Sequence, residues 1–296
     1  MSPQKQATVI ASVVATILTI VKFVIGVASG SVAVLASAID SLLDTVISIF
    51  NFFAIKKSEE KATDRFQYGK GKVQAIAAVI EGTIITLSGL YIIYESIQKA
   101  IYGKETALLT PAIVVMIFSI AVTFLLVEYL LGVAEKTDNI VIKSDALHYK
   151  TDLLSNGVIL FSLMIVYFTG WDIVDAIFGF GIGIYIIYSA YEIIQEGVFI
   201  LLDHAIDAKM VIEIESLIQE HPLVNSYHWL KTRTDGSNNF VEFHLVLEPK
   251  MTLLEAHTIS DQIEERIKRL DENKSWIITP HYDPYDDEEI NNESYL

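Results

Sequence analysis

Six apolar runs, each long enough to cross a bilayer, leave this chain little choice of fold. A spanning helix takes about 20 mostly apolar residues. In lipid the backbone must satisfy its own hydrogen bonds, so isolated apolar runs of that length fold as helices. The pattern predicts spans over Ala7–Ser29, Val32–Ile55, Val73–Lys99, Ala107–Ala134, Ile140–Thr169 and Ile173–Phe199. Gly30 and Ser31 are expected to make a tight turn between the first two. Pro111 falls in the first turn of the fourth, where proline is tolerated. Gly179, Gly181 and Gly183 are expected close-packing positions in the sixth. The polar lead Ser2 to Gln6 runs into the first span with no small-residue cleavage pattern, so that span is expected to stay.

Two of the spans carry chemistry. Asp40 and Asp44 lie four residues apart in the second, and His148 and Asp152 lie four apart in the fifth. Residues i and i+4 share a helix face, so each pair points one way. If the two faces meet, three carboxylates and an imidazole converge. One Asp at the bilayer centre costs roughly 2.5–3.5 kcal/mol, and three on the order of 7–10 before their repulsion. Buried acids relieve that cost by taking up protons or binding a metal. Glu81, in the third span, and Asp145, at the start of the fifth, have no assigned role at this level; Asp145 is a candidate for setting where the fifth helix begins.

Charge and composition narrow the partners. The formal net charge is −16, which argues against nucleic acid. There is no cysteine, so disulfides and thiolate ligands are excluded. Six spans put both termini on one side. The loop after the second holds Lys56, Lys57, Lys61, Arg65, Lys70 and Lys72. The positive-inside rule then puts that loop and the termini in the cytoplasm. With short loops and no targeting extension, the expected location is a multi-pass protein of a bacterial inner membrane.

Beyond about Leu202 the composition turns soluble. Ala208–Glu220 has helical spacing, and Val224–Thr234 reads as a strand. Asp235-Gly236-Ser237 is a turn signal, and Phe240–Leu247 alternates as a half-buried strand. Thr252–Leu270 reads as an amphipathic helix and Trp276–Thr279 as a short strand. The fold class is therefore a six-helix membrane protein with a small α-β-β-α-β, ferredoxin-like domain. The expected domains are 1–204 in the membrane, 205–285 in the cytoplasm and 286–296 as an acidic disordered tail. So small a core should draw stability from dimerisation or metal.

These features together resemble the cation diffusion facilitators, a family of metal/proton antiporters and not of enzymes. Asp40 with Ser41-Leu42-Leu43-Asp44 resembles the family's second-helix metal motif, and Ser144-Asp145-Ala146-Leu147-His148-Tyr149-Lys150-Thr151-Asp152 its fifth-helix motif. Tyr68-Gly69-Lys70-Gly71-Lys72 resembles the loop into the third helix. The resemblance implies that Asp40, Asp44, His148 and Asp152 form the transport site of a homodimer. A three-Asp, one-His set goes with Zn²⁺, and often also Cd²⁺ or Fe²⁺. Zinc takes nitrogen and oxygen ligands tetrahedrally, whereas an imidazole argues against a dedicated manganese carrier; affinity order alone leaves Co²⁺ open. The resemblance further implies a cytoplasmic zinc site from His228, His244, His257, His281 and Asp283, with His281-Tyr282-Asp283 resembling the closing motif and Asp283 able to bridge two ions. It pairs Lys72 with Asp203 as a lock on the dimer. The family's accessory loop site is expected to be missing, because Phe66 and Lys70 stand where ligands would be and leave Asp64 alone. His204 and His221 fit no motif and read as surface.

Three other readings use the same residues. An intramembrane aspartyl protease would want Gly-x-Gly-Asp, but Gly179-Phe180-Gly181 is followed by Ile182. A passive metal channel or a membrane-tethered metal sensor would hold a metal without exchanging protons for it.

Overall fold

The apolar runs fold as six long helices in the computed structural model, which describes residues 1–29, 32–102, 110–169, 173–272 and 274–287. They are α1 (Pro3–Ser29), α2 (Val32–Ser58), α3 (Val73–Tyr102), α4 (Thr110–Thr137), α5 (Ile140–Thr169) and α6 (Ile173–Leu201). The expected turn at Gly30 and Ser31 lies outside the described residues. By length and apolarity alone, four helices among the described residues could cross a membrane: Pro3–Ile25, Val73–Tyr102, Ile117–Thr137 and Ala176–Leu201. The other two, α2 and α5, are those that carry the acid and histidine pairs.

The chain divides into two compact units, Met1–Val198 and Phe199–Leu296. In the first, Phe23, Val24, Leu87, Leu125 and Ile177 are each more than half exposed, as lipid-facing side chains would be. Small residues fill the interior: Ala7, Ala11, Ala15, Ala75, Ala78 and Ala190 are all buried. Without a hydrophobic drive between helices in lipid, close backbone approach holds them together. Gly183 shows how close. A Cβ there would stand 3.0 Å from the Gly89 carbonyl and 2.5 Å from Ile93 Cγ1, so only glycine lets α6 meet α3. Gly179 is similarly tight against Ser96, whereas Gly181 has nothing within 4 Å and is not a packing position.

The loop between α2 and α3 is tied at both ends. Ser2 Oγ donates to Glu59 Oε1 at 2.7 Å and Lys5 pairs with Glu59, which joins the start of α1 to the end of α2. Glu60 takes Lys57 Nζ at 2.8 Å and Lys70 Nζ at 2.6 Å. Those hydrogen bonds, from Lys57 first and then Lys70, hold the Glu60 carboxyl down at about 2. A depressed carboxyl stabilises the folded loop above its ordinary range and loses that contribution as pH falls toward the folded value. Protection factors for backbone hydrogen exchange over residues 59–72, corrected for the intrinsic pH dependence, should therefore be highest at neutral pH and fall from about pH 4.5 down to 2. Glu60→Gln should show the lower protection across that whole window; a Glu60→Gln protection profile matching the parent would break the link.

The second unit runs α7 (Ala208–Gln219), β1 (Ser226–Thr234), β2 (Asn238–Val246), α8 (Leu253–Lys268) and β3 (Ser275–Asp283). Its sheet order is β1-β2-β3, with β1 antiparallel and β3 parallel to β2. Gly236, at φ 94°, makes the β1–β2 turn where Asp235-Gly236-Ser237 predicts it. Thr252 and Glu255 form a reciprocal capping box at the head of α8. Val241, Phe243 and Leu245 of β2 point inward with Ile214 and Ile218 of α7 and Ile259, Ile263 and Ile267 of α8. His221, expected at the surface, is buried and its Nε2 lies 3.1 Å from Gln262 Oε1, joining the end of α7 to α8. His204 is exposed and stacks on Phe199 at 4.7 Å.

Candidate metal centres

The first centre lies where α2 meets α5. Their i,i+4 pairs bring Asp44 of α2 toward His148 and Asp152 of α5. His148 Nε2 is 3.1 Å from Asp44 Oδ1 and 3.9 Å from Asp152 Oδ2. One ligand atom from each of the three lies within 4.8 Å of the others. Ligands on a tetrahedral zinc with bonds near 2.0 Å stand about 3.3 Å apart, so these gaps are close to those of a loaded site. Asp40 is on α2 one turn before Asp44; its side chain lies outside the described residues.

Neighbouring hydrogen bonds fix this junction. Ser48 Oγ, one turn after Asp44, shares a buried 2.8 Å hydrogen bond with the hydroxyl of Tyr149, the residue after His148. Lys22 Nζ of α1 donates to Ser41 Oγ, next to Asp40, at 2.7 Å and is itself buried. Asn51 Nδ2, two turns after Asp44, donates to Glu81 Oε2 of α3 at 3.0 Å. Sequence reasoning left Glu81 and Asp145 unassigned. The structure buries both completely, at 1% and 0% exposed, on helices that pack together.

The second centre is a row of three histidines across the sheet. In register, His228 of β1 lies opposite His244 of β2, and His244 beside His281 of β3. Their rings are 5.0 Å and 4.4 Å apart in turn. Asp283, at the end of β3, collects them. Its Oδ2 is 2.8 Å from His244 Nδ1 and 3.4 Å from His228 Nε2, and its Oδ1 is 3.2 Å from His281 Nε2. β3 runs four residues beyond the expected Trp276–Thr279, so His281 and Asp283 sit within the sheet and not after it. Pro280 does not stop the strand because β3 is an edge, where a missing N–H is tolerated.

A bulge aims the first of these histidines. The β1 register shifts between His228 and Lys231, and Trp229 adopts φ 52°. The extra residue lets both Tyr227 and Leu230 reach the core while His228 stays on the other face. A tryptophan at positive φ costs on the order of 1–3 kcal/mol, which the surrounding packing must offset. His228 is nonetheless 3% exposed, and its ring nitrogens have carboxylate oxygens near them without meeting hydrogen-bond geometry. A buried imidazole beside several carboxylates is a nitrogen–oxygen donor set of the kind that suits zinc.

Not every expected residue joins. His257 is on the exposed side of α8, 3.7 Å from Asp261 one turn on, and the cluster among the described residues is His228, His244 and Asp283. Asp287, which sequence reasoning assigned to the tail, places Oδ1 3.1 Å from His228 Nε2, and Asp286 Oδ1 is 3.7 Å from Nδ1. Their signal was visible as two acids just past His281-Tyr282-Asp283. Lys72 lies in the turn before α3; Asp203, at φ 57°, lies in the turn after α6 and accepts from Arg233 Nη1 at 3.3 Å.

Known proteins share this plan. Residues 8–202 match the family model described as "Cation efflux transmembrane domain", and residues 206–285 that of "Cation efflux protein, cytoplasmic domain". The chain is 35% identical over 279 residues to the "Cation-efflux pump FieF" of Citrobacter koseri, covering 94% of this chain and 92% of that protein. It is 34% identical over 281 residues to the protein of the same name in Escherichia coli O139:H28, with the same coverage of each.

Proposed function

The chain belongs to the cation diffusion facilitator family, and from that premise we propose that it expels Zn²⁺ from the cytoplasm in exchange for protons. Membrane-embedded cation efflux comes with the family. The observation that carries the finer reading is one imidazole nitrogen within 3.1 Å and 3.9 Å of two carboxylates from two helices. Asp40 completes the proposed set by its place on α2 and by the family motif. Nitrogen beside oxygen favours zinc over purely hard cations; Cd²⁺, Fe²⁺ and Co²⁺ are the competing cargoes.

Coupling follows from charge. Metal binding needs deprotonated ligands, so metal and protons compete for one site. Loaded with either, the site carries less net charge; empty and ionised, it resists burial in lipid. Alternating exposure to the two sides then exchanges one for the other. His228, His244, His281 and Asp283 would hold resident zinc in a homodimer and supply linkage that favours the folded, paired state. His257 stays in that set on the resemblance alone. The membrane is proposed to be a bacterial inner membrane, with both termini cytoplasmic.

The test is a metal panel on proteoliposomes holding an internal pH dye. Zinc should move protons the opposite way and be driven uphill by an imposed pH gradient. Metal entry without proton movement would make the protein a channel, and binding without flux would make it a sensor.

A further inference from the structure

Behind the α2–α5 junction lies a second polar cluster that the proposed transport site does not use. It comprises Asn51 of α2, Glu81 of α3, and Ser144 and Asp145 of α5, none more than 1% exposed. The best-formed hydrogen bond among these side chains runs from Asn51 Nδ2 to Glu81 Oε2 at 3.0 Å, while Ser144 also interacts with Glu81 and Asn51 with Asp145. Five oxygens lack a hydrogen bond of good geometry: Asn51 Oδ1, Glu81 Oε1, Ser144 Oγ and both oxygens of Asp145. As two ionised acids, the cluster has too many acceptors and too few hydrogens. Buried polar groups are rarely left so, and two neighbouring buried carboxylates cannot both stay ionised without a counter-charge. The titratable groups facing the pair are Asp44 from α2 and His148 and Tyr149 from α5. None is a fixed cation. One added proton turns an acceptor into a donor and halves the charge.

We propose that Glu81 and Asp145 are a proton-carrying pair of the transport cycle, sharing one proton in the metal-free state. Asp145 lies three residues before His148, and Glu81 is held to α2 through Asn51. A divalent cation arriving among Asp44, His148 and Asp152 replaces at most one imidazolium charge with two. The added positive charge favours the ionised pair. The shared O–H bond breaks, the proton passes to water, and the pair goes from one negative charge to two. The protein then exports its metal against one more proton than its ligands alone would release.

This inference rests on the exchange reading, and one titration separates the two. Full-length protein in nanodiscs is titrated with Zn²⁺ in weak buffer with a pH dye, and bound zinc is counted in parallel. Glu81→Gln should release about one proton fewer per protomer than the parent, at unchanged zinc stoichiometry. Asp145→Asn should do the same, and carries the test if Glu81→Gln does not assemble. Equal proton release in parent and variant overturns the pair. So does loss of a bound zinc in the variant, which would make the cluster a cation site. If the parent itself releases no protons on binding zinc, the exchange reading falls.

Discussion

Asp152→Ala should bring zinc-driven proton movement in proteoliposomes down to that of empty vesicles, while the purified protein keeps the oligomeric size of the parent. Asp152 Oδ2 on α5 and Asp44 Oδ1 on α2 approach the same His148 nitrogen, so removing either opens one corner of the proposed four-ligand site. Even changes in residues that merely orient metal ligands cost 10–100-fold in affinity. Loss of a ligand should cost at least about 100-fold, enough to silence flux at micromolar zinc. Asp44→Ala should behave the same. Parent-like flux in either variant would remove α2 and α5 from the transport site.

The second large effect concerns the cytoplasmic unit. Asp283→Ala removes the carboxylate that touches all three sheet histidines. Zinc at about 100 times its dissociation constant stabilises a folded site by about 2.7 kcal/mol. For a domain of this size each kcal/mol moves the melting midpoint by roughly 4–8 °C. Trp229 and Trp276 lie in this unit and report its unfolding. Zinc should raise the parent's fluorescence midpoint by about 10–20 °C and leave Asp283→Ala nearly unmoved, with transport continuing in both. An equal zinc shift in the variant would mean that the histidine row holds no metal.

Patterns with a short period were legible. The six helices follow from run length, and the α2–α5 junction from two i,i+4 pairs whose burial only a partner could relieve. The element order of the second unit along the chain follows from alternation and from a glycine turn, whereas the parallel pairing of β3 with β2 does not. What escaped depends on which helix lies against which. Glu81 and Asp145 are 64 positions apart in the chain, and only the packing of α3 on α5 makes them one feature. Likewise Pro280 reads as the end of a strand until β3 is known to be an edge. His221 reads as surface until Gln262 closes over it.

The Ser48–Tyr149 clasp has a mechanical consequence. Parting it in a dry interior would strand two hydroxyls, at about 1–3 kcal/mol for each. On the proposed exchange reading, that cost favours a motion in which α2 and α5 ride together at this clasp. The two helices would then act as a single carriage for the ion, with the seam that holds it kept closed.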